Sequence, residues 1–211
     1  MPAPERGART EDVVPISVNA ANLVMGPARL YVAPFGATEP ADSAVTPNGP
    51  TNPPGSPWTD VGGTDGGTTW ETDSTYTPLN VDQIIMDVGA RLTEIKMSAT
   101  TKLSEMTFAN LQVALNNIAI IGSGSGYQTA EIPVGSSATQ PTYAAVLIDG
   151  WAPMLSTGQP ALRRVIIRKV LSQAKAAFAS DKKTQQSLDC TFNAYFVSNS
   201  INPVHIVDQL A

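Results

Sequence analysis

The stretch "TEIKMSATTKL", Thr93 to Leu103, decides the fold because apolar and polar side chains alternate along it. One alternate set is mainly apolar: Ile95, Met97, Ala99, Thr101 and Leu103. The other set is polar: Glu94, Lys96, Ser98, Thr100 and Lys102. A period of two places each set on its own face of a β-strand. The stretch therefore predicts a strand of an antiparallel sheet with one buried face and one wet face.

Further strand patterns lie on both sides of this stretch. "ARLYVAP", from Ala28, predicts a strand with Leu30 and Val32 on one face and Tyr31 on the other. "VDQIIMDVG" predicts another long strand, and "PWTDVGG" and "TTWETD" predict a hairpin around "GGTDGG", where Gly66 or Gly67 supplies a positive φ. Later strands are predicted in "AEIPV", "YAAVLID", "LRRVIIRKVL", "SLDCTFNAYFV" and "NPVHIVDQ".

One segment, "SEMTFANLQVALNN", changes to a helical period. Phe108, Leu111 and Leu115 fall on one helical face, and Ser104 or Thr107 can cap the first turn. We expect one helix of about three turns. The chain is therefore predicted to be mainly β.

Two segments lack the pattern of a core element. Residues 1–28 are mixed and polar, which predicts an N-terminal arm. Residues 36–57 are rich in proline, which removes backbone donors, so we expect a projecting loop with little to contribute to a core. The candidate contact residues in this loop are Pro47, Pro50, Pro53 and Pro54. Residues 29–211 then form a single β domain.

Composition narrows the function. The formal net charge of −5 argues against a protein that coats nucleic acid, because affinity for phosphate comes mainly from Lys and Arg. The single cysteine, Cys190, excludes an intramolecular disulfide and fits a reducing compartment. There is no run of 18 apolar residues and no export signal, so we expect no membrane partner.

The sequence contains few residues suited to catalysis or to binding a metal or cofactor. Gly122, Gly124 and Gly126 begin a glycine pattern, but Tyr127 stands where a dinucleotide fingerprint needs its third glycine, and no helical pattern follows. Cys190 is predicted to be an inert core thiol, and His205 to be structural or at the surface. We expect no enzyme activity, no catalytic residue, no cofactor and no metal site.

Charge is distributed unevenly. Residues up to Asp149 carry 15 acids and 6 bases, whereas residues from Ala152 onward carry 7 bases and 3 acids. Two readings remain open: a salt-bridged strand within one chain, or complementary patches that meet between copies of the chain. The candidate inter-subunit residues are the bases Arg163, Arg164, Arg168 and Lys169 and the acids Asp60, Asp65, Glu71 and Asp73. Those acids lack the calcium-loop spacing.

Five stretches in order, "GPARLYVAPFGATEP", "WTDVGGTDGGTTWETD", "IKMSATTKLSEMTFANLQVALN", "TFNAYFV" and "PVHIVD", resemble the major tail (tail tube) proteins of long-tailed bacteriophages, especially those of actinobacteria. The resemblance spans roughly Gly26 to Asp208. It implies a β-sandwich or barrel of antiparallel strands flanked by one α-helix, with long loops and an N-terminal arm.

The resemblance also implies a function. Copies of such a chain form hexameric rings that stack into a tube, assembled in the host cytoplasm and carried in the virion tail. The prolines of the projecting loop, Pro47, Pro50, Pro53 and Pro54, are then the candidates for contact between stacked rings. The implied partners are the chain itself and the tape measure, tail terminator and distal tail proteins, while phage DNA passes through without specific binding. The alternative is a β-sandwich module for carbohydrate or another ligand, with Trp58, Trp70 and Trp151 as stacking platforms.

Overall fold

The computed structural model describes residues 19–45, 53–116, 120–132, 141–155, 158, 160–173, 183 and 185–210. These contain ten strands and one α-helix, which confirms a mainly β fold. The strands are β1 (Arg29–Pro34), β2 (Thr59–Asp60), β3 (Thr64–Leu79), β4 (Gly89–Leu103), β5 (Ile120–Gly124), β6 (Tyr127–Glu131), β7 (Ala144–Ala152), β8 (Ala161–Ser172), β9 (Leu188–Ala194) and β10 (Val204–Asp208), and the helix is α1 (Phe108–Ala114).

The main sheet is antiparallel, with strand order β2-β1-β7-β8-β9-β4-β3. Strand β10 also pairs with β8. β10 and β9 share one edge of β8, because β10 faces residues 163–167 and β9 faces residues 170–172. β8 therefore connects the two halves of the sheet.

The two halves of the sheet bury the same apolar cluster, which we call the main core. β1, β7 and β8 contribute Leu30, Val146 and Ile167, while β4 and β9 contribute Leu103 and Phe192. One cluster shared by both halves means that the sheet folds over on itself, as in a sandwich. Where β4 pairs with β9 the predicted alternation of β4 is confirmed, because Ala99, Thr101 and Leu103 are buried. Beyond that pairing it is wrong, since Ile95 is exposed and Met97 only half-buried.

A bulge in β8 explains why "VIIRKVL" does not alternate. Val146 lies opposite Ile167, but Ala144 lies opposite Val170, so β8 has an extra residue between the two pairs. Both Ile167 and Val170 can then enter the main core, and two consecutive cations, Arg168 and Lys169, remain half-buried outside it.

The opposite face of β1, β7 and β8 is also buried. Tyr31, Leu147 and Ile166 form a second cluster with Trp58, whose indole Nε1 donates to the Thr38 carbonyl at 2.9 Å. The described part of the proline-rich segment therefore lies against the sheet, and Val45 within it is buried. The expectation that this segment adds little to the core is wrong for that part.

Two local predictions are corrected. "GGTDGG" is not a hairpin turn, because β2 pairs with β1 while β3 pairs with β4. Gly66 and Gly67, with φ of 71° and 81°, instead form a bulge inside β3. "VDQIIMDV" is not a strand but the connection between β3 and β4.

The structure tests the predictions for the helix and for the glycine-rich stretch. Thr107 is the N-cap of α1 and accepts from the Asn110 amide at 3.2 Å, and the helix has seven residues rather than three full turns. β5 and β6 form a hairpin through the glycine-rich stretch. A strand therefore lies where a dinucleotide-binding helix would begin, which argues against the fingerprint.

Part of the predicted arm is described. Residues 20–22 form a 3₁₀ turn capped by Asn19, and the Met154 amide donates to the Ala21 carbonyl at 2.8 Å. Residues 1–18 lie outside the described residues, as do Pro47 and Pro50. Over the described ranges, no helix is long and apolar enough to cross a membrane.

Candidate assembly surface

The most prominent surface feature is a long β-hairpin formed by β3 and β4. β9 pairs with β4 only from Ser98 to Leu103, so the hairpin continues beyond the sheet. Every residue from Glu71 to Lys96 is exposed, and we call these residues the distal hairpin. Among the described strands, none pairs with the outer edge of β3. Such an edge presents unpaired backbone donors and acceptors over up to 16 residues.

One face of the distal hairpin is apolar. The pairs Ser74 with Ile95 and Tyr76 with Leu92 follow the pair Trp70 with Ala99 on the same face. Ala99 lies in the main core and Trp70 packs against it. Tyr76, Leu92 and Ile95 are 60%, 43% and 48% exposed. The surface that forms the core therefore extends past the edge of the domain without cover from the described chain.

The opposite face of the β3–β4 pair is polar, and it carries three of the predicted acidic residues, of which Glu71 and Asp73 lie in the distal hairpin. Asp65, Glu71 and Asp73 lie opposite Lys102, Ser98 and Lys96 in the register. The Ser98 hydroxyl donates to Glu71 at 2.9 Å. Asp60 lies elsewhere, on β2, where its carboxylate accepts from the Gly62 amide at 2.8 Å. The structure thus groups Asp65, Glu71 and Asp73 but not Asp60.

The end of the distal hairpin, residues 81–88, is an apolar protrusion that we call the hairpin tip. Ile85 is fully exposed and Met86 is 77% exposed. Exposed apolar patches of this kind mark interaction sites in soluble proteins. The sequence signal is the run "QIIM" between two aspartates, whose pattern predicts a strand.

The predicted basic residues are mostly neutralised within their own chain. The Arg163 guanidinium donates to Asp208 at 2.6 Å, and Arg168 forms a two-bond pair with Glu39. Arg164 is buried and paired with Asp149 at 2.6 and 2.7 Å, so it is not on the surface and is no longer a candidate contact residue. Lys169 differs, because its Nζ lies 4.3 Å from the Tyr143 ring centroid and faces no carboxylate in the described chain.

Glu39 connects the proline-rich segment to the sheet. Its carboxylate also lies 3.2 Å from His205 Nδ1, and His205 Nε2 lies 3.7 Å from Asp42. The hydrogen bond from Arg168 is the main reason that the pKa of Glu39 lies below its usual value. His205 thus has a structural contact on β10, in agreement with the sequence prediction. Of the candidate prolines, Pro53 is exposed and Pro54 half-buried.

The remaining candidates for chemistry occupy packing positions. Cys190 is buried in the main core, and burial, with a smaller effect of Asp189, raises the pKa of its thiol to about 12. Trp58 is buried, Trp70 packs on the main core, and Trp151 covers Gly26 so closely that a Cβ there would lie 2.1 Å from the ring. Within the described ranges, no three His, Cys, Asp or Glu side chains are grouped to hold a metal ion.

No model of a known protein family matches the chain, and no curated protein matches it.

Proposed function

We propose that this chain is a structural protein that assembles with copies of itself into stacked hexameric rings forming a bacteriophage tail tube. The observation that carries the proposal is the distal hairpin, whose apolar face continues the main core and whose outer edge on β3 is open. The resemblance in sequence supports the same assignment. No reaction or cofactor forms part of this function.

Both properties of the hairpin favour association of like chains. Removing apolar surface from water contributes about 25 cal/mol per Å² to the free energy of association. Tyr76, Leu92 and Ile95 provide such surface because all three side chains are exposed. A strand from another copy can satisfy the open backbone groups of β3 by extending the sheet. Closing such a sheet into a ring leaves no free edge, which favours a closed assembly over an indefinite one.

The polar face suits the wall of a DNA conduit. On the paired strands of this face three acids, Glu71, Asp73 and Glu94, outnumber two bases, Arg91 and Lys96. A bore lined by carboxylates and small hydroxyl groups repels phosphate and does not retain DNA. We propose that this face lines the bore, so that phage DNA passes through without specific binding.

The other parts of the proposal follow from the resemblance. The tube would be assembled in the host cytoplasm, would meet tape measure, tail terminator and distal tail proteins, and would belong to the virion tail. The carbohydrate-binding alternative gains no support, because the rings of Trp58, Trp70 and Trp151 pack against their own chain.

Negative-stain electron microscopy and sedimentation velocity of the purified chain test the proposal, with rings or tubes as the expected result. The variant Leu92→Asp, Ile95→Asp places charge on the apolar face and should remain monomeric. The matched control Thr75→Asp, Thr77→Asp places the same charge on the polar face and should still assemble. Wild-type chain that stays monomeric, or tubes from the apolar-face variant, would refute the proposal.

A second variant tests the hairpin as a unit. Ser74 and Ile95 lie directly opposite each other, so Thr75–Glu94 can be replaced by Asn-Gly, which favours a two-residue hairpin turn. We expect an unchanged circular dichroism signal per strand residue, because the replaced residues lie outside the main core. We also expect the variant to form no rings or tubes. Circular dichroism of the monomer separates this outcome from misfolding.

A further inference from the structure

A second exposed apolar site lies at the surface of β8, away from the hairpin. It is a cavity of about 240 Å³ whose floor is formed by Trp58 and Ile166. Phe35 and Ile201 stand at its mouth and are 44% and 46% exposed. We call it the Phe35 cavity. Its walls are mostly apolar, which suits an apolar side chain better than a polar ligand.

The cation at the Phe35 side of the cavity is Lys169, and an acid, Asp42, lies near the Arg168–Glu39 pair, 3.7 Å from His205 Nε2. Lys169 Nζ lies 5.5 Å from the Phe35 ring centroid and has no carboxylate partner among the described residues. The charged groups inside the cavity wall, Arg168 and Glu39, already neutralise each other. A partner that fits this site therefore has an apolar protrusion with an adjacent negative charge.

The hairpin tip has both properties. Ile84, Ile85 and Met86 protrude, and the sequence from Asn80 to Ala90 contains Asp82 and Asp87 but no cation. Asp82 forms no ion pair within the described chain. The hairpin tip and the Phe35 cavity are both exposed in the single chain, so the tip of a chain does not fill that chain's own cavity.

We propose that the hairpin tip of one copy inserts into the Phe35 cavity of a second copy, with its aspartates next to Lys169. This inference deepens the proposed function, on which it rests for the identity of the partner. The apolar side chains supply the affinity, and the opposite charges fix the orientation. The contact joins two different surfaces, so it repeats from copy to copy and extends an assembly rather than closing a dimer.

Disulfide cross-linking tests the contact directly. Two single variants, Met86→Cys in the tip and Ile201→Cys at the cavity, carry tags of different size and are mixed under mild oxidation. We expect mixed dimers on a non-reducing gel and few same-variant dimers. Gln128→Cys, an exposed site on β6, replaces Ile201→Cys in the control mixture. The native Cys190 is buried and should not interfere.

Charge reversal tests the orientation. Lys169→Glu should lower the yield of mixed dimer about tenfold, the change produced by roughly 1.4 kcal/mol of binding free energy. Asp82→Lys with Asp87→Lys should have the same effect, and combining the reversals on the two copies should restore the yield.

The outcomes separate this inference from the proposed function. A yield of mixed dimer no higher than the Gln128→Cys control would overturn the tip-to-cavity contact, whether or not tubes form. In assembled tubes, Ile201→Cys could be protected from labelling without linking to Met86→Cys. Another segment would then cover the cavity, and this result would also overturn the tip-to-cavity contact. Mixed dimers without rings or tubes would support the tip-to-cavity contact and would count only against the proposed tail tube function.

Discussion

Arg164 in β8 and Asp149 in β7 lie directly opposite each other and form a two-bond ion pair that is almost completely buried. Burying both charges removes their hydration, so the pair is stable only while both partners are present. The charge of Arg164 therefore belongs to the interior of the chain rather than to an interface.

The first prediction concerns this pair. Arg164→Met leaves Asp149 buried and uncompensated, so we expect a loss of about 3–5 kcal/mol in the free energy of unfolding measured with urea. Arg164→Met with Asp149→Leu should recover most of that loss. Arg163→Met is the control, because Arg163 pairs with Asp208 near the surface and should cost about 1 kcal/mol or less. Equal losses at Arg163 and Arg164 would contradict the interpretation. Arg164→Glu places two carboxylates opposite each other in the interior and should prevent folding.

A second prediction concerns acid stability. The pKa of Glu39 is lowered in the folded chain by Arg168, so its contribution is present above the unfolded value near 4.5 and is lost as pH falls through the lower, folded value. Wild type should therefore be more stable than Glu39→Gln at pH 6, by about 1 kcal/mol. The difference should shrink below about pH 4.5. Urea unfolding at pH 3 to 6 measures it, and a difference that does not vary with pH would count against the ion pair.

The third prediction revises the role of the proline-rich segment. Replacing Ala37–Pro57 by a shorter Gly/Ser linker removes buried Val45 and the Glu39 ion pair, so we expect a loss of about 3 kcal/mol. Composition alone predicts about 1 kcal/mol or less. A Gly/Ser replacement of Thr46–Asn52 at equal length is the matched control and should have the smaller effect. Similar urea midpoints for both variants would show that residues 37–45 contribute little.

Cys190 gives a fourth prediction, about reactivity. Only the thiolate reacts with disulfide reagents, and burial raises the pKa of this thiol to about 12. The native chain at pH 8 should therefore be inert to a chromogenic thiol reagent, and the chain unfolded in urea should react with one equivalent. Rapid reaction of the native chain would place the thiol outside the main core.

The fifth prediction tests the polar face under the proposed function. Glu71→Lys with Asp73→Lys should leave tube formation intact but cause purified tubes to retain double-stranded DNA. The retained amount should fall as salt rises, because the gained contacts are to phosphate. Glu131→Lys, on the separate β5–β6 hairpin, is the control and should retain none. DNA bound equally by both variants would place the polar face outside the bore.

Part of the fold could be predicted because some strands, such as β9, have one buried and one wet face. Alternation identified the inward residues of β9, where Leu188, Cys190 and Phe192 are buried and Asp189 is exposed. The Thr107 cap of α1 was also among the two residues expected. These are local signals, since one segment contains all the information they need.

Features set by distant partners could not be predicted in the same way. "GGTDGG" has the glycines of a hairpin turn, but β3 pairs with β4 because the register with β4 buries Ala99 and Trp70. The partner of Arg164 depends on the β7–β8 register, which the sequence around Arg164 does not contain. Val45 was overlooked because its neighbours in sequence are small, polar or proline, although its side chain is buried.

The two irregularities in the β3–β4 register affect how readily the unassembled chain aggregates. A long, straight strand edge can nucleate fibrils by pairing indiscriminately with other chains, and bulges oppose this by twisting the edge locally. In this hairpin one irregularity lies between Asp65 and Thr68 and another between Thr75 and Tyr76. The first inserts Gly66 and Gly67 into β3 and the second inserts Thr93 into β4, so a strand can match either edge along its length only if it has a compatible break. The bulges thus act as a safeguard against amyloid-like aggregation while newly made copies accumulate.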